Sequence, residues 1–147
     1  MPAKVIIILL LSCSLSLSAQ KKEAWKTTAI YTGAVVFDAV GDGLNDSGNK
    51  SWGHICNSVS ISFLLFSPFI LRYDQDKWWA YAVTYGSLRI ALFDYTYNMT
   101  RGLPLTYMGS TSSWDRSIGN VDSGVVAVGR AVSLSIGIII PLKYLKH

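Results

Sequence analysis

Apolar residues in this chain are gathered into four blocks that follow a short N-terminal apolar run. The blocks cover residues 24–40, 55–71, 78–99 and 123–142. Each holds about 17 to 22 residues, enough for a helix to cross the hydrocarbon core of a bilayer, although the first block is marginal. A segment in lipid must satisfy its own backbone or belong to a closed barrel, and the second and fourth blocks lack the alternation of barrel strands. The pattern therefore predicts an all-α fold, a helical bundle of about four hydrophobic helices.

Polar residues inside the blocks recur at helical spacing and so fall on defined faces. In the first block Tyr31, Asp38 and Asp42 share one stripe. The stripes of the other three blocks consist of His54, Asn57 or Ser58, and Ser62; of Tyr85, Arg89, Asp94, Asn98 and Arg101; and of Arg130, Ser133 and Gly137. Charges inside a membrane are costly and usually face the interior of a bundle in pairs. The bundle is therefore predicted to have a polar interior that carries the ionisable groups.

The first nineteen residues have the plan of a secretory signal peptide. A lysine precedes the apolar run at residues 5–11, and small residues follow the run up to Ala19. The predicted division is a signal peptide at 1–19 and a single helical membrane domain at 20–147. Two alternatives stay open: an uncleaved leader, or a lipoprotein signal in which the thiol of Cys13 is acylated.

Composition narrows the class of protein. Half of the residues (50%) are hydrophobic and 15% are charged, below the roughly 25% charged residues of soluble domains. The net charge of +4 comes from basic residues scattered at the ends of the blocks, which argues against nucleic acid as a partner. The expected partners are membrane lipids, with further copies of the chain or other envelope proteins as additional candidates.

The basic residues and the leader favour opposite topologies. An exported mature chain would place Lys26, Arg72, Lys77 and Lys143 outside, against the usual bias of Lys and Arg towards the cytoplasm. A chain whose leader does not direct export would have both termini inside and the connector at 41–54 outside. A third arrangement is an exported helical cluster that lies on or partly in a membrane.

The connectors contain residues that end helices. Asp46 and the glycines around it are typical of a turn, and Asn49 is expected to cap the second helix. Gly102 and Pro104 are expected to end the third helix.

One interpretation of the interior charges is structural. Arg89 or Arg130 would pair with Asp38 or Asp94 and fix the register of the helices. Removing one partner of a buried pair costs on the order of 3–5 kcal/mol, because the other charge is left uncompensated.

A second interpretation is a functional site. Carboxylates four residues apart can reach one ion, and zinc or manganese also accepts imidazole, so a divalent metal is the candidate cofactor. Alternatively, a carboxylate or His54 acts as a general base while an arginine holds an anionic headgroup. The candidate metal ligands are Asp38, Asp42 and His54; the candidate catalytic residues are Asp42, His54 and Asp94; the candidate binding residues are Arg89, Arg101 and Arg130.

Three short motifs carry a resemblance. K-x-x-G-H spans residues 50–54, R-x-x-x-x-D spans 89–94, and G-S-x-x-x-x-D spans 109–115. In this order they resemble uncharacterised small bacterial membrane proteins and putative lipoproteins. The resemblance implies a location in the cell envelope and no known activity.

These observations together predict a small bacterial envelope membrane protein, with the inner membrane favoured, in a structural or accessory role. The alternative is a membrane-embedded enzyme, metal-dependent or acid–base, that acts on an anionic lipid or a cell-wall intermediate.

Overall fold

The computed structural model describes residues 22–107 and 122–145. Within these ranges the chain forms four α-helices, one short 3-10 helix and no strand, so the predicted all-α bundle is confirmed. The helices are α1 (Lys22–Asp46), α2 (Lys50–Ile70), α3 (Trp78–Arg101) and α4 (Ser123–Tyr144), and the 3-10 helix is Gln75–Lys77. The predicted signal peptide and the Gly-Ser motif at 109–115 lie outside the described residues.

The helix ends follow local backbone chemistry. The chain leaves α1 through Gly48 and α3 through Gly102, whose φ angles of +87° and +66° are left-handed values that glycine adopts without strain. Asp122 begins α4, and its side chain accepts a hydrogen bond from the amide of Gly124 at 2.8 Å. Asn49 does precede α2 as expected, but its side chain makes no capping hydrogen bond.

The helices are arranged in the order α2–α1–α3–α4. α1 packs on both α2 and α3, α3 packs on α4, and in the described part of the chain α2 packs extensively only on α1. α1 and α3 run parallel, while α2 and α4 run antiparallel to them. The two apolar helices are therefore the outer ones, and the two charged helices are the inner ones.

The basic end of the bundle is the end where α1 and α3 begin and α2 and α4 finish. The rings of Trp79 and Tyr144 meet there at 4.8 Å, and Leu71 and Leu145 belong to the same buried cluster as Tyr31. The described cations of this end are Lys22, Lys26, Arg72, Lys77 and Lys143. The apolar core lies nearer this end, which leaves the polar contacts in the other half of the bundle.

Both outer helices have large apolar residues outside, and α2 has small residues inside. α2 buries Gly53, Ser60 and Ser67 at a spacing of seven residues, and the hydroxyl of Ser60 donates to the carbonyl of Ala34 in α1 at 2.7 Å. Its exposed side chains include Trp52, Ile55, Ile61, Leu65, Phe66, Phe69 and Ile70. α4 exposes Val125, Val128, Val132, Ile136 and Ile139 in the same way.

Not every apolar block that is long enough to span a bilayer has the hydropathy of a membrane-spanning helix. Among the described helices, α2 and α4 meet the length and hydropathy expected of a membrane span, and only 17% of the apolar window in each is buried inside the bundle. α1 and α3 have a lower mean hydropathy because they carry the interior charges. The four predicted hydrophobic helices are therefore two strongly apolar helices and two helices of lower mean hydropathy.

Candidate functional site between the inner helices

The first interior ion pair joins the two parallel helices α1 and α3. The Nη1 group of Arg89 donates to the carboxylate of Asp38, and it lies 3.5 Å from the hydroxyl of Tyr85. The guanidinium also lies over the ring of Phe93, 4.4 Å from its centroid. The carboxylate and the aromatic face together offset the cost of placing the cation among apolar helices.

The second ion pair joins α3 to α4. The Nη2 group of Arg130 donates to the carboxylate of Asp94, and the guanidinium lies 4.7 Å from the ring centroid of Tyr95. Arg130 is 7% exposed, whereas the side chain of Asp94 is 48% exposed. The sequence left open which arginine pairs with which aspartate; in the structure both arginines are paired, and each ion pair joins α3 to a different neighbour.

Asp42 and Asp46 are also hydrogen-bonded, each to a different helix. The amide of Asn57 on α2 donates to Asp42 at 3.1 Å. On α3, the hydroxyl of Tyr97 donates to Asp46 and accepts from Nη1 of Arg101 at 2.9 Å. Three carboxylates on one stripe of α1 are therefore held alternately by α3, α2 and α3.

The contacts of α3 lie on two sides, whereas its sequence pattern predicted one broad polar side. Arg89 and Arg101 are directed to α1, and Asp94 is directed to α4. Asn98 is buried, and its amide donates to the carbonyl of Tyr107 at 2.9 Å in the segment after the helix. The prediction of a single polar side for α3 is too broad, because residues five apart on a helix point in different directions.

The crossing of α1 and α2 is built from two reciprocal glycine–asparagine contacts. A Cβ placed on Gly41 would lie 1.7 Å from Oδ1 of Asn57, and a Cβ placed on Gly53 would lie 2.0 Å from Oδ1 of Asn45. Neither amide oxygen has a conventional hydrogen-bond partner in the described part of the structure. They lie instead against the bare backbone of the opposite glycine, where Cα–H···O contacts form in close helix crossings.

The proposed metal ligands are not brought together. His54 is exposed on α2, one position beyond the buried Gly53, so its imidazole points away from α1. Within residues 22–107 and 122–145, no group of three or more His, Cys, Asp or Glu side chains is placed to hold a metal ion. The carboxylates of Asp38 and Asp42 are instead occupied by nitrogen donors from neighbouring helices.

Sequence reasoning missed part of this network. Asn45, Gly53 and Tyr97 were not singled out, although all three contact the stripe of α1 or its crossing. A signal was present in the repeated pattern G-x-x-x-N at 41–45 and 53–57, which places a glycine and an asparagine one helical turn apart on each helix. Tyr97 had no such signal, since tyrosine is common at many positions of this chain.

Electrostatics at the basic end differ from those of the interior. Tyr73, in the linker after α2, stacks on Tyr81 with ring centroids 3.9 Å apart, and its hydroxyl is 3.1 Å from that of Ser67. Burial, followed by the neighbouring Tyr81, raises the pKa of Tyr73 to about 12. This phenol therefore stays neutral at physiological pH and contributes packing and a hydrogen bond rather than charge.

Chemically, the interior network is a set of satisfied pairs. Each of four carboxylates, the partly buried Asp38 and Asp42 and the more exposed Asp46 and Asp94, accepts a hydrogen bond from a side chain on another helix. Such an arrangement fixes the helix register without any further ligand.

Comparison of the chain with protein-family models, with curated proteins and with solved structures finds no match.

Proposed function

We propose that this chain is an integral membrane protein of the bacterial cell envelope, in the inner membrane, with a structural or accessory role. The observation that carries the proposal is the reversed polarity of α2 and α4. Their large apolar residues face outwards, and the positions buried against the bundle are Gly53, Ser60 and Ser67 on α2 and Arg130, Gly137 and Pro141 on α4. Membrane helices associate through small residues and leave large apolar side chains to the lipid.

The extent of the outward apolar surface supports the same proposal. Phe69 is 79% exposed and Ile61 is 62% exposed, and their neighbours on α2 are exposed to a similar degree. Soluble monomers rarely expose apolar patches larger than a few hundred square ångströms. Lipid chains would cover this surface on both outer helices, at opposite sides of the bundle.

The interior pairs support a structural role. They join α1 to α2, α1 to α3, and α3 to α4, so every extensive helix contact in the bundle contains a polar tie. In lipid no water competes with these hydrogen bonds and ion pairs, which specify which helices meet and in which register. A protein that holds its shape in this way can serve as a scaffold for lipids, for further copies of itself or for other envelope proteins.

The proposal is tested by fractionation of cells that express the full chain. The protein is expected in the inner-membrane fraction, and it is expected to stay in the pellet after washing with alkaline carbonate or urea. Release into the soluble fraction by either wash would refute membrane integration. Replacement of the outward Ile61 and Leu65 by serine tests the surface that carries the proposal, because it removes apolar contact without touching an interior pair.

A further inference from the structure

Three helices in the described ranges end in the same left-handed turn, but with different residues at its centre. Gly48 and Gly102 occupy this position after α1 and α3, and Arg72 occupies it after α2 with φ +47°. In each case the next amide donates to the carbonyl five residues earlier, at 2.8 to 3.2 Å. Arg72 is the non-glycine residue with positive φ in the described part of the chain.

An arginine at this position is unfavourable for the backbone. The left-handed conformation brings the Cβ of an L-residue too close to the following carbonyl, whereas glycine adopts it freely. The two equivalent turns show that glycine is compatible with the fold at such a site. A strained residue that persists calls for a role of its side chain.

The side chain of Arg72 is exposed and has no ion pair or hydrogen bond among the described residues. Large apolar side chains surround it in the sequence and are themselves exposed: Phe69 by 79%, Ile70 by 52% and Trp78 by 68%. An unpaired cation flanked by exposed aromatic and aliphatic groups is the composition of a membrane interface.

The balance of charge at this end fits an anionic partner. Among the described residues the basic end carries five cations, Lys22, Lys26, Arg72, Lys77 and Lys143, against the three acids Glu23, Asp74 and Asp76. Glu23 and Asp74 are neutralised by Lys26 and Lys77 respectively. The described residues of the opposite end have the reverse bias, with Asp42, Asp46 and Asp122 against Lys50 and Arg101.

We infer that the basic end is a binding surface for the phosphate headgroup of an anionic phospholipid, with Arg72 as its principal contact. The inference rests on the proposed membrane location. The guanidinium donates to phosphate oxygens, while Phe69, Ile70 and Trp78 contact the upper part of the acyl chains. The left-handed backbone directs Arg72 away from the bundle and so leaves its guanidinium available to the lipid.

The test uses the full chain in a neutral detergent, titrated with short-chain phosphatidylglycerol or phosphatidylcholine, with tryptophan fluorescence and thermal unfolding as readouts. Wild type is expected to bind phosphatidylglycerol more tightly. Arg72→Gly is expected to raise the Kd for this lipid about fivefold, the effect of one arginine at an anionic surface. Arg72→Lys retains the charge and is expected to stay within about twofold, and Lys50→Gln at the opposite end is the matched control.

A structural role for Arg72 predicts a different result. If its charge only stabilises the carbonyls at the end of α2, Arg72→Gly lowers the unfolding temperature and leaves lipid affinity unchanged, which would overturn the inference. Binding of inorganic phosphate or polyglutamate as tight as that of the lipid would also overturn it. Arg72→Gly is expected to remain in the carbonate-washed membrane, because the apolar faces are intact; failure of lipid binding and failure of membrane integration are thus separate outcomes.

Discussion

Gly41 is the position where one added methyl group has the largest expected effect on the bundle. In Gly41→Ala the new Cβ would lie 1.7 Å from Oδ1 and 2.6 Å from Cγ of Asn57, and 2.9 Å from the backbone oxygen of Gly53. The side chain of Asn57 would have to leave its place, which breaks its hydrogen bond to Asp42. The backbone contact remains after that movement, so α2 must also shift.

The magnitude follows from three contributions. Overpacking of a close contact costs about 1–3 kcal/mol, and the lost hydrogen bond costs about 0.5–1.5 kcal/mol. Alanine gains about 1 kcal/mol over glycine in a helix interior. The net expectation for Gly41→Ala is a loss of about 1–3 kcal/mol of unfolding free energy.

Gly86→Ala is the matched control for this substitution. Gly86 also lies inside a helix, α3, but a Cβ there meets nothing within 4 Å. This variant is therefore expected to be as stable as wild type or more stable, by up to about 1 kcal/mol. The two substitutions are chemically identical, so the difference between their unfolding free energies, about 1–4 kcal/mol, isolates the helix crossing.

The assay is reversible unfolding of the detergent-solubilised protein, followed by the fluorescence of its five tryptophans. Equal stability of Gly41→Ala and Gly86→Ala would refute the close crossing. A second test is rescue by a second substitution. Asn57→Ala in the Gly41→Ala background removes Oδ1 and Cγ of Asn57, the two atoms nearest the new Cβ, and is expected to restore about 1 kcal/mol of unfolding free energy. Absence of rescue would mean that the crossing is not organised around this pair.

Three further predictions concern the polar groups. Asp94→Ala leaves the buried Arg130 without its carboxylate, and we expect a loss of about 3 kcal/mol in unfolding free energy; a loss below about 0.5 kcal/mol would contradict the pairing. The folded protein keeps the proton of Tyr73 up to a pKa of about 12, whereas the unfolded chain releases it near 10, so stability should fall as pH rises through this window. Tyr73→Phe should reduce that slope in alkaline thermal unfolding, and parallel slopes would exclude the effect. His54→Ala should unfold within about 0.5 kcal/mol of wild type, whereas Asp42→Ala should cost about 1–2 kcal/mol through its lost amide donor. Elemental analysis of the purified His54→Ala protein checks the metal hypothesis, because loss of a bound ion in that variant would support a site there.

The sequence was sufficient to predict the helices and an ion pair between Arg89 or Arg130 and Asp38 or Asp94, but not which arginine meets which aspartate. Apolar blocks of spanning length mark the helices, and a lone arginine inside such a block requires a carboxylate from another block. Arg89 and Arg130 had few candidates within reach, and both predicted kinds of pair are present. Gly102 ends α3 as expected, since its left-handed φ is one that glycine adopts without strain.

The sequence could not place His54 or the glycine–asparagine crossing. His54 lies one residue from Gly53, and a rotation of about 100° per residue separates an exposed side chain from a buried one. That phase depends on where α1 and α2 cross, which is set by contacts between residues distant along the chain. The positive φ of Arg72 could not be predicted either, because nothing in the local sequence distinguishes Arg72 from an ordinary residue at a helix end.

The parallel packing of α1 and α3 has a consequence for how the protein is made. Asp38 and Asp46 each find their partner 51 residues later, so the carboxylates of α1 are synthesised well before the arginine and tyrosine that satisfy them. α2 can enter lipid by its own hydropathy, but it offers only an amide to Asp42. If the chain is integral to the membrane as proposed, stable insertion of α1 must wait for α3, and a chain that stops before Arg89 should leave α1 open to protease digestion at the membrane surface. Biogenesis of the bundle would then be coupled across helices, with the pairing of α1 and α3 as the step that commits the chain to the bilayer.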